Sequence, residues 1–288
     1  MREISDLIDK LNLSGRRLSK GHLKIADFIA THYGKAAHMT AGMLAKSAGV
    51  SESTVVRFAM ALGYEGYPQL QKALQEVVRH RLTAVQRLEL SSDMAQAQVL
   101  ETVLKGDIQN IRSTIEEMNM EAFENAVQRI LSAKTIYVMG LRSAAPLAQF
   151  FGYYLNYLFD NVRLVSSGVT DVFEEIVRIS KDDVLIGISF PRYSTRTLEA
   201  MRFATKAGAQ VIAITDGVLS PLKTAADVCL QAQTEMASFV DSLAAPLSVI
   251  NALIVAMAMH RKDELGNHFK QLEGIWDAHS VYLPGDEQ

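Results

Sequence analysis

Cysteine is nearly missing from this chain. Cys229 stands alone, so no intramolecular disulfide can form, and no CxxC or Cys/His grouping offers a structural zinc site. The seven histidines show no HExxH and no close His/Asp arrangement, which leaves no metal site to assign. No GxGxxG follows the first β-rich run and no GxxxxGK[ST] occurs, so a dinucleotide and a nucleotide triphosphate are both disfavoured as ligands. No cofactor is expected. Proline (6) and glycine (17) are too few, and apolar residues at 49% too many, for a collagen-like, low-complexity or largely disordered chain. The N-terminus MREISDLIDKLNLSGRR carries charge throughout, and no uncharged apolar run long enough to span a bilayer follows. The expectation is a cytoplasmic chain with neither an export signal nor a membrane span.

What is present divides in two. The 288 residues favour two domains, and charge separates them. Residues 1–88 hold 13 Lys/Arg against 7 Asp/Glu, a net of +6, and the remainder holds 16 against 25, a net of −9. A basic first third points to an anionic partner for that part, with nucleic acid the first choice. Helical spacing governs this third. Leu23, Ala26 and Ile29 recur after the capping residue Ser19, Thr40 is placed to cap AGMLAKSA, and Ser51 to cap ESTVVRFAMAL. Ala45, Gly49 and Val55 match a helix-turn-helix, which needs a small residue, a turn tolerant of positive φ and a branched core residue. Leu44, Ala48, Val50 and Phe58 fill the other inward positions, with Leu62 after them. The outward face then carries Ser53, Thr54, Val56 and Arg57, side chains suited to a major groove. Thr40, Ser51, Ser53, Thr54 and Arg57 are the candidate DNA contacts. Tyr64 and Tyr67 are expected to pack the end of the helical unit.

After Ala133 the period changes. TIYVM, NVRLV, DVLIGIS, QVIAIT and VCLQA are short β-rich runs, the first four each followed by helix-forming sequence. The expected fold class is α/β: an all-α helix-turn-helix domain joined to a flavodoxin-like, doubly wound parallel sheet whose ligands sit beyond the carboxyl ends of the strands. The expected boundaries are 1–78 for the helix-turn-helix domain, 79–107 for a linker helix and 108–288 for the sheet domain. Three loops at that edge carry hydroxyls ahead of helices: GLRSAAP with Ser143 as N-cap, SSGVTD with Ser166, and SFPRYSTRT with Ser189, Ser194, Thr195 and Thr197 beside Arg192 and Arg196. Hydroxyls, free helix N–H groups and arginines together favour an anion, phosphate above all. Glu235, ahead of the last long apolar helix, is placed to meet the sugar part of such a ligand. Paired with His260 or His268 it is also the one acid/base pair an isomerase or lyase reading can name.

The segment AGMLAKSAGVSESTVVRFAMALGYEGYPQLQ, followed by a SIS-type (sugar isomerase) domain, resembles the RpiR family of bacterial transcriptional regulators. The resemblance covers roughly residues 3–265 and is most specific in SESTVVRF and LGYEGYPQL. It implies a helix-turn-helix that reads operators of sugar-catabolism genes, with repression as the default. It also implies a SIS domain binding a phosphosugar or related sugar acid, and a homodimer or homotetramer. Phosphosugar-binding SIS loops usually read S-x-S-G-x-T-x-x-T. In SFPRYSTRT, Ser189, Ser194 and Thr197 fit, while Pro191 and Arg192 replace the second serine and the glycine. Losing that glycine restricts the backbone, and Arg192 adds positive charge. Two readings stay open: a loop holding a different acid or phosphate in another pose, and a loop that serves assembly alone.

Overall fold

The computed structural model describes residues 19–37, 39–81, 83–89, 95–166, 168, 170–217 and 220–283. The N-terminal stretch read above for an export signal therefore lies outside the described residues. Two compact units emerge, Met1–Gln86 and Arg87–Gln288. Among the described residues no single helix is long and apolar enough to cross a membrane.

The first unit is helical: α1 (Lys20–Thr31), α2 (Tyr33–Ala36), α3 (Ala41–Ala48), α4 (Glu52–Ala61) and α5 (Tyr67–Arg81). Ser19 caps α1 and Thr40 caps α3, each hydroxyl accepting a backbone N–H of the first turn. The turn between α3 and α4 closes on Gly49 at φ +64°, and the N–H of Val50 returns to the carbonyl of Ala45 at 2.9 Å. A side chain at that φ would be strained, which is why glycine stands there. Leu44, Ala45, Val55, Phe58 and Ala59 are buried with Ile25 and Ile29 of α1. Leu23, expected on the inward stripe, is 54% exposed: the apolar face of α1 runs through Ile25 and Ile29, one position round the helix. Ala48, Val50 and Leu62 are half-buried at the edge of this core. Tyr67 is buried as expected, its hydroxyl donating to the carbonyl of Met39 at 2.6 Å.

The short helix α6 (Ala84–Glu89) runs through the boundary between the units. Beyond it come α7 (Val99–Glu117), α8 (Met120–Ser132) and the sheet: β1 (Ile136–Gly140), α9 (Ala145–Leu158), β2 (Val162–Val165), α10 (Val172–Glu175), β3 (Val184–Ile188), α11 (Thr195–Lys206), β4 (Gln210–Thr215) and β5 (Val228–Gln231). Helices α12 (Ala244–His260) and α13 (Lys262–Ala278) end the described chain. All four strand pairings are parallel, in the order β2-β1-β3-β4-β5. Strands β1 and β3 are buried along their whole length, as a sheet covered on both faces requires. Alternate residues serve opposite layers. Val138, Ile186 and Ile212 pack with Ile130 of α8, Phe151 and Leu155 of α9, and Ile250 and Leu253 of α12. Tyr137, Met139, Leu185 and Val211 pack with Val172, Ala200, Met201 and Leu222 on the other face. Helix α9, leaving β1, and α11, leaving β3, thus lie on opposite faces. Between β1 and β3 the winding reverses, which opens a crevice at their carboxyl ends.

Candidate functional site

At the start of α4 three hydroxyls gather. The Oγ of Ser51 shares hydrogen bonds with Ser53 Oγ at 2.9 Å and Thr54 Oγ1 at 2.8 Å. The cap bond expected of Ser51 is absent, because its hydroxyl is taken by those neighbours. Arg57 is exposed, its Nε donating to the carbonyl of Ser53 at 3.2 Å. Ser53, Val56, Arg57 and Met60 form an exposed strip along α4, spaced as one helix face demands. Thr54 turns partly aside: a Cβ on Gly21 of α1 would lie 3.0 Å from Thr54 Cγ2, so this side chain packs against α1 and is half-buried. Next to it, His22 stands edge-on to Phe58 with ring centroids 5.6 Å apart. Burial, and secondarily the Arg57 guanidinium, hold the His22 imidazolium pKa below its usual 6.5.

In the second unit a cavity of about 650 Å³ opens at the carboxyl ends of β1 and β3. Two loops and a third segment wall it. After β1 the chain folds tightly back, because a Cβ on Gly140 would sit 2.6 Å from the carbonyl oxygen of Ala144. Arg142, at φ +57°, and Ser143 line the cavity from the short 3-10 turn Arg142–Ala144. After β3, the Oγ of Ser189 accepts the N–H of Ser194 at 3.1 Å, and the Oγ of Ser194 accepts the N–H of Thr197 at 3.2 Å, capping α11. The first turn of α11 therefore abuts the cavity, where the N-terminal end of a helix favours an anion. Arg192 takes φ +64°, the left-handed backbone that a glycine adopts freely and that costs other residues about 1–2 kcal/mol. Left-handed arginines in both loops fit the habit of strain to collect at functional sites. The third wall is residues 239–241 and Leu243, together with Arg87. Arg87 is buried and its Nη1 donates to Asp241 Oδ1 at 2.8 Å, the two side chains being 2% and 12% exposed. Arg87, Arg142 and Arg192 thus face one cavity whose lining, among the described residues, includes a single carboxylate, that of Asp241. The balance is positive.

Residues 5–80 match the family described as the helix-turn-helix domain, rpiR family, and residues 129–256 match the SIS domain. Between them the two matches take in more than two thirds of the chain, each on the unit whose fold it describes. The chain belongs to the RpiR family. It is a DNA-binding transcriptional regulator in which a helix-turn-helix precedes a SIS domain. Among relatives of this RpiR-family chain, the HTH-type transcriptional regulator HexR of Pseudomonas aeruginosa is 23% identical over 277 residues, 94% of this chain and 95% of that one. The sugar isomerase domain of an RpiR transcription factor from Sphaerobacter thermophilus is 27% identical and superposes with a TM-score of 0.59, covering 61% of this chain and 98% of that one. The NanR protein of Vibrio vulnificus, solved complexed with ManNAc-6P, shares the fold at a TM-score of 0.59 and 18% identity, covering 96% of this chain and all of that one.

In the RpiR-family chain Ser143, Ser189, Arg192, Ser194 and Thr195 meet at the cavity, and three expected ligand residues do not. Ser143 arrives there as part of the 3-10 turn; the N-cap position of α9 belongs to Ala144, without a side-chain bond. Ser166 lies after β2, its backbone N–H bonded to Glu175 Oε2 at 3.1 Å. Thr197 is fully buried in the first turn of α11, and its Oγ1 has no hydrogen-bond partner among the described residues. Glu235 lines an adjoining cavity of about 750 Å³ against α7, which shares Phe239, Val240, Asp241 and Leu243 with the first. Its backbone is fixed there by Asn110, whose side chain donates to Glu235 O and accepts from Glu235 N–H, both at 2.9 Å. Arg196 turns away too, toward Asp171 at 3.4 Å. In SFPRYSTRT the position of the missing glycine is held by Arg192 with a left-handed backbone, a conformation that glycine adopts more freely. Sequence reasoning missed Arg87 and Asp241. They are 154 residues apart, and no local pattern marks such a pair.

Proposed function

We propose that this RpiR-family regulator binds a sugar phosphate or sugar acid in the cavity between β1 and β3, and that occupancy sets the affinity of the helix-turn-helix for its operator. The observation that carries this reading is the convergence of Ser189, Ser194, Thr195, Arg142 and Arg192 at the N-terminal end of α11, inside one cavity. Hydroxyls and helix N–H groups suit the oxygens of a phosphate or carboxylate, and the arginines supply charge. On the DNA side Arg57 and Ser53 contact base edges or phosphates, with Ser51, Thr54 and Thr40 placed toward the backbone of the double-stranded operator. The same proposal includes repression of carbohydrate-catabolism genes in the cytoplasm. It assigns DNA binding to residues 1–78 and effector binding to 108–288 together with Arg87 of the joining segment 79–107. Self-association as a homodimer or homotetramer completes it, supported by exposed Tyr153 and Tyr154 on α9 and Val255 and Met259 on α12.

A purely binding role agrees with the cavity's chemistry. An isomerase or lyase needs an acid/base group beside the sugar carbons. Neither Glu235, His260 nor His268 lines the cavity, and Asp241 is engaged by Arg87. Turnover of a ketose phosphate that vanishes in Asp241→Asn would favour the enzyme reading instead.

The test uses the full chain and a duplex it selects from a random-sequence library. Operator affinity is read by fluorescence anisotropy, and effector binding by thermal shift, against hexose 6-phosphates, N-acetylhexosamine 6-phosphates, 6-phosphoaldonates and the parent sugars. At least one anionic compound should change operator affinity by about 5- to 150-fold, with the effect lost in Ser194→Ala and Arg192→Ala. If no compound moves either the melting temperature or the operator affinity, the effector reading is wrong.

A further inference from the structure

The cavity wall formed by residues 239–241 and Leu243 is tied to α7 and to Arg87 of α6. Along α7, Asp107, Asn110, Thr114 and Glu117 recur at three- and four-residue spacing, so they share one face. Each holds a residue of the stretch 233–242. Glu117 Oε2 accepts from Gln233 Nε2 at 2.6 Å, and Thr114 Oγ1 from Gln233 N–H at 2.9 Å. Asn110 pairs with both backbone groups of Glu235. Asp107 Oδ1 accepts from Ser242 Oγ at 2.6 Å. One residue before Ser242, Asp241 holds Arg87 of α6. The stretch is therefore clamped to α7, lines the cavity, and grips the helix in which one unit passes into the other.

We propose that Arg87 is an effector-binding residue, its guanidinium contested between the Asp241 carboxylate and the phosphate or carboxylate of the bound effector. The proposal rests on the effector reading above and names the residue by which the bound anion acts on α6. Arg87 and Asp241 both line the cavity, so an anion placed among Arg142, Arg192 and the start of α11 meets the Asp241 carboxylate as a like charge and Arg87 as an opposite one. Both side chains are almost wholly withdrawn from water, where charge interactions are strong and an unbalanced charge is costly. A second anion therefore redistributes the guanidinium's hydrogen bonds, and any shift of Arg87 toward the anion pulls on α6, which carries it. Helix α6 is a single short segment, Ala84–Glu89, and such a helix has little stability of its own to resist the shift.

Two substitutions of opposite sign test this in the full chain. The probe is whichever sugar phosphate of the panel above binds the native protein, with affinity measured by calorimetry and operator affinity by anisotropy. Arg87→Gln should weaken the sugar phosphate roughly ten- to hundredfold, the loss expected for a hydrogen-bonded charge. Asp241→Asn removes the competitor and should tighten it several-fold. Without any sugar phosphate, Asp241→Asn should also move operator affinity in the direction in which the sugar phosphate moves the native chain. A structural defect would not produce that reversal of sign. Arg87→Lys and the charge-balanced double variant Arg87→Gln/Asp241→Asn cover the case in which Arg87→Gln alone fails to fold, and both should bind the sugar phosphate at least tenfold more weakly than Asp241→Asn does. If the native chain binds a sugar phosphate and these variants bind it with native affinity, the Arg87 inference is overturned and the effector reading stands. If the native chain binds none of the panel, both fall.

Discussion

Asn110→Ala tests the clamp of α7 on the cavity wall through stability alone. Asn110 is 2% exposed, and its amide makes two 2.9 Å hydrogen bonds to the backbone of Glu235. Truncation removes both partners at once. Each such bond contributes about 1 kcal/mol net, and a backbone group left unpaired adds up to about 1–3 kcal/mol where water cannot reach it. Since the Glu235 residue is itself exposed, water can re-satisfy part of its backbone, and the expected cost stays near the lower end, about 2–3 kcal/mol. For a unit of roughly 200 residues, 1 kcal/mol moves the melting temperature by about 2–4 °C, so the second unit should melt about 5–10 °C lower. Urea unfolding followed by the fluorescence of Trp276, the one tryptophan, reports on this unit directly. Ser113→Ala, on the same helix, is the control and should stay within about 0.5 kcal/mol of native. A loss below about 0.5 kcal/mol in Asn110→Ala would refute the claim that side-chain hydrogen bonds from α7 fix the 233–242 stretch.

Three further outcomes are expected. The pKa of His22 is lower in the fold than its usual 6.5, so the unfolded chain binds more protons in that range and stability rises with pH. This contribution is complete above about pH 6.5 and is lost as pH falls through the folded value; a pH series of unfolding curves should flatten in His22→Gln, and the His22 NMR titration should move up in Arg57→Ala. Arg192→Gly relieves a left-handed φ of +64°, so its melting temperature should hold or rise slightly while affinity for a sugar phosphate falls; a marked loss of stability would contradict the strain argument. Tyr67→Phe deletes the 2.6 Å bond to the Met39 carbonyl and should cost the first unit about 1–2 kcal/mol in urea unfolding; no change would mean that water replaces the hydroxyl.

The periodicities were legible because they are local. Apolar residues at helical spacing, Gly49 between two helices and five β-rich runs separated by helix formers mark the helix-turn-helix and the parallel sheet within short windows of sequence. The loop chemistry was legible in part: Ser189, Arg192, Ser194 and Thr195 do share a cavity, reached from Ser143 across the β1–β3 crevice. The expectations for Ser166, Thr197 and Glu235 treated every hydroxyl or carboxylate near the sheet edge as facing the ligand. Instead Ser166 sits beside Glu175, Thr197 is buried in the first turn of α11, and the backbone of Glu235 is held against α7 by Asn110 through bonds spanning 125 residues.

By itself the sequence determined the alternation of elements, the positions of the turn glycines and the exposed strip of α4, since backbone sterics and hydrophobic spacing act over a few residues. Only the tertiary structure decided which charges share a cavity. Arg87, read as part of a connecting helix, and Asp241, ahead of α12, meet because the sheet winds in opposite senses from β1 and β3 and leaves one crevice where several segments converge. Arg192 shows the same division of labour. Its side chain declared a positive charge in the sequence, while its left-handed backbone belongs to a loop closed by the hydrogen bond between Ser194 N–H and Ser189 Oγ.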